Sequence, residues 1–265
     1  MGKAKLERIL EDRINANEKI FVPYMMAGDG GLNHLEETIH FLQDCGAAAI
    51  EVGIPFSDPV ADGPIIQEAG IRALQDGTTL ATVIKKLAAF KDNRSIPIVI
   101  MTYLNPILAY GVDQFAKDCF EAGVDGVIIP DIPMEEEEIV AGALYDQSIA
   151  FIRLAAMTSS EERLIELAKR SEGFLYAVAV KGTTGERESH DMKVHDYLKL
   201  LKKNSSIPVL AGFGVSNSEQ AQELSEACDG VIVGSKIVQL LHEGKRKNIQ
   251  QLIKGSIQTN MHKVR

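Results

Sequence analysis

Residues 51–64 read EVGIPFSDPVADGP, so Glu51, Asp58 and Asp62 lie among Pro55, Pro59 and Pro64, directly after the apolar run GAAAI at 46–50. An acid near the end of so apolar a run is costly unless it is paired or put to chemical use. For Glu51 the structural alternative is an ion pair with a core Lys or Arg. For Asp58 and Asp62 it is turn chemistry, which favours Asp among Pro and Gly.

A second constellation lies in the last third of the chain. Three apolar runs there end in KGTTGE (181–186), AGFGVS (211–216) and VGSKI (233–237). Glycines let backbone N–H groups approach an anion closely, and a helix N-terminus adds roughly half a positive charge. Three such loops in succession point to a bound phosphate. The inferred ligand is a phosphorylated small molecule that reaches from the late loops toward the early acids. Tyr24, Tyr103, Ile128 and Phe213, at other strand ends, can floor a flat apolar moiety, although aromatic residues there also serve plain packing.

No His pair has HxH or HExxH spacing, and Cys45, Cys119 and Cys228 are widely separated in apolar helical contexts. The expectation is no metal site, no disulfide, and thiols buried as small core residues. Acid–base work by carboxylates, or Schiff-base chemistry by a lysine, is then the available chemistry.

The elements that must position these groups repeat along the chain. Short β-rich apolar runs occur at 20–25, 47–53, 96–103, 125–130, 149–155, 174–180, 207–212 and 229–234. Most are continuously apolar, as parallel strands covered on both faces are. Helical stretches at 32–46, 112–123, 159–173 and 216–230 separate them, the last two opening on Ser followed by Glu in the manner of a capping box. An additional helical segment, 78–91, lies between the second and third strands. No GxGxxG follows the first strand. Eight β/α repeats without a linker predict one (β/α)8 TIM-barrel domain over residues 1–265, with the helix at 1–19 capping the barrel. In that fold the active site lies at the C-terminal ends of the strands, where Glu51, Asp62 and the glycine loops fall, and phosphate sites use the loops after strands seven and eight.

The chain of 265 residues carries a net charge of −9 and no sustained Lys/Arg run, which argues against nucleic-acid binding. No apolar run approaches the roughly 18 residues needed to span a membrane. The N-terminus MGKAKLERILEDRI lacks an apolar signal core, so a cytoplasmic protein is expected.

The segments EVGIPFSDPVADGPIIQEA, GVDGVIIPDIP, TTGERE, PVLAGFGVS and DGVIVGSKIV together resemble the tryptophan synthase α subunit family, from about Phe21 to the final helix. That resemblance implies retro-aldol cleavage of indole-3-glycerol phosphate to indole and glyceraldehyde 3-phosphate. It also implies an α2β2 assembly with a β subunit that carries pyridoxal phosphate, this chain holding no cofactor. Glu51 matches the family's acid–base residue, and a carboxyl with a raised pKa suits that work. Asp62 matches the carboxylate beside the indole nitrogen, and Tyr176 a tyrosine near the reacting side chain. Thr184 matches a loop threonine that closes on the aspartate, and Gly185, Gly214, Gly234 and Ser235 the phosphate cradle. Pro55, Phe56, Asp58, Asn105, Pro106, Asp131 and Pro133 match its partner-facing loops.

Two features depart from the family pattern: Thr183 in the sequence Gly182-Thr183-Thr184-Gly185, where the family usually has Val, and Lys181 at the end of the sixth strand. Lys181 raises the rival of a Schiff-base aldolase. Tyr176 and Lys181 differ in parity, however, so a regular strand that points one inward points the other outward. A docking module that mainly activates the β subunit is a second rival, and both retained acids argue against it. A sugar-phosphate isomerase fits the glycine loops but not the loop after strand two.

Overall fold

The computed structural model describes residues 1–178, 187–212 and 214–258. Its strands are β1 (Ile20–Met26), β2 (Ile50–Gly53), β3 (Ile98–Met101), β4 (Gly126–Ile128), β5 (Ala150–Ile152), β6 (Leu154–Ala156), β7 (Leu175–Val178), β8 (Val209–Gly212) and β9 (Gly230–Val233). They form a nine-stranded sheet in the order β5-β4-β3-β2-β1-β9-β8-β7-β6, and every pairing is parallel.

The two ends of that order are halves of one expected strand, the run at 149–155. Arg153 interrupts it: β5 pairs with β4 through Ile128↔Ile152, and β6 pairs with β7 through Leu154↔Tyr176. The sheet therefore curls into a nearly closed α/β barrel whose fifth strand changes neighbours at Arg153. The runs expected as strands six, seven and eight are β7, β8 and β9.

Alternation along each strand sends one set of side chains into the barrel. Ile20, Val22, Val99, Ile128, Ile152, Phe174, Leu210 and Ile232 form one buried cluster there. Leu6 and Leu10 of the helix Lys3–Asn15 belong to the same cluster and are fully buried. Gly173, just before β7, has φ +68°, and a Cβ there would lie 2.7 Å from Leu6 Cδ2, so this glycine admits the helix. The helix thus stops the N-terminal end of the barrel, and buried Asp125 secures it by accepting from the Gly2 N–H at 2.9 Å.

Two helices, not one, fill the connection from β2 to β3. Leu80–Ala89 corresponds to the expected segment and opens on a reciprocal capping box between Thr79 and Thr82. Pro64–Gln75 had no helical signature because its buried face is Ala69, Gly70 and Ala73, while Ile65, Ile71 and Leu74 are exposed. The expected capping boxes are only half formed. Ser160 caps Glu161–Arg170 by accepting from the Arg163 N–H, and Asn217, not a serine, caps Ser218–Ser225 by accepting from the Gln220 N–H at 2.9 Å. All three cysteines are free and buried.

Candidate active site

Glu51 is the second residue of β2 and lies in register with Tyr24 on β1 and Val99 on β3. The parity that turns Val99 into the barrel turns Glu51 there as well. Its residue is 1% exposed, and neither carboxylate oxygen has a hydrogen-bond partner among the described residues. Among the described residues Glu51 therefore forms no core ion pair. Burial, and then the charge of Asp62, push its pKa up to about 8. At neutral pH Glu51 is a neutral acid facing an apolar chamber.

Asp62 reaches that chamber from the loop after β2, which a series of short contacts fixes. The Asp62 N–H donates to Pro59 O at 3.1 Å, and Gln67 Nε2 donates to Asp62 O at 2.8 Å. Gly63 is the N-cap of the following helix and Pro64 its first residue, where the missing N–H costs nothing. Tyr103 Oη accepts from the Ala61 N–H at 3.1 Å, and its ring lies against Phe56 at 5.3 Å between centroids. Burial raises the Asp62 pKa to about 6, against a hydrogen bond from Tyr103 that lowers it. Asp58 is engaged locally, accepting from Ser57 Oγ at 2.5 Å.

Two tyrosines wall the chamber, and each depends on a glycine beside it. A Cβ on Gly53 would lie 1.9 Å from Tyr24 Oη, and one on Gly212 would lie 2.3 Å from Tyr176 Cε1. Both phenols are held neutral far above neutral pH, first by burial and then by the two carboxylates.

Tyr24, Glu51, Asp62, Ile128, Tyr176 and Gly234 line one cavity of about 460 Å3, within the range typical of small-molecule sites. Met101, Leu154 and Ile66 line it too. Sequence reasoning did not single them out, although Met101 and Leu154 share the inward parity of Val99 and Tyr176. A further arm of the cavity runs beside residues 129–134 toward Arg153.

Gly234, directly after β9 on the other flank of β1, is the N-cap of the helix Ser235–His242 and lies on the cavity wall. Helix geometry leaves the first N–H groups of that helix without intrahelical partners. Gly214 has φ +65°, no atom of the described residues lies within 4 Å of where its Cβ would stand, and it is not on the cavity wall. Thr184, Gly185 and Phe213 lie outside the described residues, as do Lys181 and Thr183. Tyr103 acts on the loop that carries Asp62 rather than lining the cavity.

Of the expected partner-facing residues, Asp58, Asn105, Asp131 and Pro133 are exposed and Phe56 and Pro106 half-buried. Pro55 is buried, which does not suit it to a contact surface. Val60 on the same loop is 81% exposed. Asp131 Oδ1 accepts from the Leu104 N–H at 2.9 Å, joining the loop after β4 to the helix after β3. Among the described residues no cluster of three or more His, Cys, Asp or Glu is arranged to hold a metal ion, and no helix is long and apolar enough to cross a membrane.

The tryptophan synthase alpha chain family matches residues 10–265. A tryptophan synthase alpha chain of Oceanobacillus iheyensis is 60% identical over 257 residues, covering 97% of this chain and 98% of the relative. One from Bacillus cereus is 48% identical over 258 residues, covering 97% and 98%. Among solved structures, the tryptophan synthase subunit alpha of Legionella pneumophila superposes with a TM-score of 0.85 at 32% identity, covering 97% of each chain. A chain of Mycobacterium tuberculosis tryptophan synthase gives 0.86 at 33% identity, covering 95% of this chain and 97% of that one.

Proposed function

We infer the roles of the cavity residues from one premise: the chain belongs to the tryptophan synthase alpha chain family and catalyses the α reaction of tryptophan biosynthesis, a lyase reaction of aldolase type. The substrate in this reading is indole-3-glycerol phosphate, with the indole in the apolar chamber between Tyr24, Ile128 and Tyr176. Its phosphate then sits at the N-terminus of Ser235–His242, where Gly234 lets the backbone come close and unpaired N–H groups and the helix dipole favour an anion.

Cleavage of the bond from indole C3 to the side chain needs C3 protonated, so that the ring can accept the bonding electrons. Glu51 is protonated at neutral pH and supplies that proton. The resulting carboxylate then takes the proton of the adjacent side-chain hydroxyl as the bond breaks. That hydroxyl carbon becomes the aldehyde, the electron pair restores the indole, and Glu51 is neutral again. Positive charge on the indole nitrogen during these steps is stabilised by Asp62, which is mostly ionised at neutral pH. Two carboxyl groups with different environments thus hold different protonation states.

The observation that carries this reading is Glu51 itself, buried with both oxygens unpartnered and facing the same cavity as Asp62. The test is indole release from indole-3-glycerol phosphate by the purified chain, wild type against Glu51→Gln, with and without a β subunit. Loss in the variant supports the role, and retained release overturns it.

The rim formed by Phe56, Asp58, Asn105, Pro106, Asp131 and Pro133 is the proposed docking face for the β subunit, which carries the pyridoxal phosphate. Exposed Val60 and Leu108 on the same rim support this reading. The chain acts as one catalytic domain in the cytoplasm, with its N-terminal helix closing the end remote from the chemistry.

A further inference from the structure

The break in the fifth strand has a chemical occupant. Ile152 and Leu154 point into the barrel, so Arg153 between them points out. Its Nε donates to Glu137 Oε2 at 2.7 Å, and its Nη1 donates to Phe151 O at 3.3 Å and to Arg170 O. Its guanidinium lies 4.7 Å from the centroid of the Phe151 ring. The other carboxylate oxygen of Glu137 accepts from Arg170 Nη1 at 2.9 Å. The side chains of Arg153 and Glu137 are 11% and 8% exposed.

Glu137 stands at the start of the helix Glu138–Asp146, directly after the loop that follows β4. Ile129, Pro130, Ile132, Pro133 and Met134 of that loop form one wall of the cavity. Beyond the Ile128↔Ile152 pair no ladder ties the chain after β4 to the fifth strand, because β6 has turned to β7. Apolar packing across the seam is thin: Val140, Phe151 and Ile129 belong to one core cluster and Ala155 and Leu167 to another, and of the loop's side chains Met134 packs against the second. Polar and charged contacts add the directional ties. Asp131 accepts from the Leu104 N–H at its near end, and beyond its far end Glu135 takes both arms of Arg163, at 2.5 and 2.9 Å, with Glu137 on Arg153 and Arg170 behind.

A buried ion pair contributes little net stability, because desolvation offsets its attraction, but its geometry is demanding. We propose that Arg153 is a positioning residue, which by gripping Glu137 at the strand break sets residues 129–134 as a wall of the substrate chamber. This rests on the reading that the cavity binds the substrate.

The test is steady-state cleavage of indole-3-glycerol phosphate by the full chain carrying Arg153→Met, which leaves Glu137 paired with Arg170. The expected result is KM raised on the order of ten-fold with kcat changed by less than about three-fold, the pattern of lost binding geometry. Arg153→Lys, with charge but no planar fork, should fall between Met and wild type. Unchanged KM with only a lower Tm would make the cluster a structural staple and overturn the proposal, as would a fall in kcat alone. Should Arg153→Met not fold, Glu137→Gln reports the same grip from the other side, and an unchanged KM there overturns it equally. Glu51→Gln in the same assay separates the two ideas: retained cleavage in that variant sinks the site reading, whereas its loss alongside an unchanged KM in Arg153→Met sinks only this one.

Discussion

Tyr24 and Glu51 are register partners on adjacent strands, so phenol and carboxyl face the same chamber side by side. The phenol closes over Gly53, the last residue of the strand that carries Glu51. The Tyr24 ring therefore helps to keep water from the carboxyl, and burial is the largest cause of the raised Glu51 pKa. One aromatic side chain thus contributes to both the shape of the chamber and the protonation state of its acid.

The two carboxyl groups set a window for catalysis. With Asp62 near 6 and Glu51 near 8, the pair holds one ionised and one protonated carboxyl only between those values. The profile of kcat/KM against pH should be bell-shaped. Its acid limb marks loss of the Asp62 charge, and its alkaline limb marks loss of the Glu51 proton. The two apparent values belong to the coupled pair. A profile flat from pH 6 to 9 would rule out Glu51 as the proton donor.

Asp62→Asn keeps the side chain's shape and its place in the loop but removes the charge proposed to stand beside the indole nitrogen. Cleavage should fall by roughly 10²–10³-fold, the scale of one lost electrostatic stabiliser, with the acid limb of the profile gone. Circular dichroism should be unchanged, since the N–H of residue 62 on Pro59 and its carbonyl under Gln67 are kept, and an Asn Oδ1 still accepts from Tyr103. Near wild-type rates would remove Asp62 from the mechanism.

The same burial makes Glu51 a stability liability with a definite pH dependence. Its folded pKa, about 8, lies above the ordinary carboxyl value. Its contribution is therefore fully present below the unfolded value, near 4.3, and is lost as pH rises through 8. Glu51→Gln removes that dependence. Relative to wild type the variant should gain stability from about pH 4.5 to 8, by up to about 1.4 kcal/mol per pH unit, and then level off. Tm measured for both proteins across pH 4.5–9 checks this, and a difference independent of pH would contradict the buried, unpartnered state of the carboxyl.

The acids were legible because a carboxylate after GAAAI breaks the pattern of a buried strand, and Gly234 because a glycine stands where a strand meets a helix. The split of the fifth strand was not read from IAFIRLA, since β-propensity and periodicity do not report which neighbours a strand pairs with. Arg153 in its middle was the available signal, an outward charge in a run that should be covered on both sides. The helix Pro64–Gln75 escaped because Ala69, Gly70 and Ala73, rather than large residues, form its packed face. Its small face lets it lie close to the barrel, and periodicity of large apolar residues cannot report that.

Gly53→Ala tests the contact between the strand end and the Tyr24 ring. The added methyl would lie 1.9 Å from Tyr24 Oη and 2.4 Å from Cζ, so the ring must move. Tyr24 is itself buried, which leaves it little room, and such overpacking costs about 1–3 kcal/mol. The variant should have a lower Tm and a raised KM, because the displaced ring enters the chamber. The strain belongs to the pair rather than to the strand. In a Tyr24→Leu background the same Gly53→Ala change should therefore cost markedly less than in wild type, a non-additivity expected of side chains in contact. Equal costs in both backgrounds would locate the penalty in the backbone of β2 and leave the Tyr24 ring without the role assigned to it.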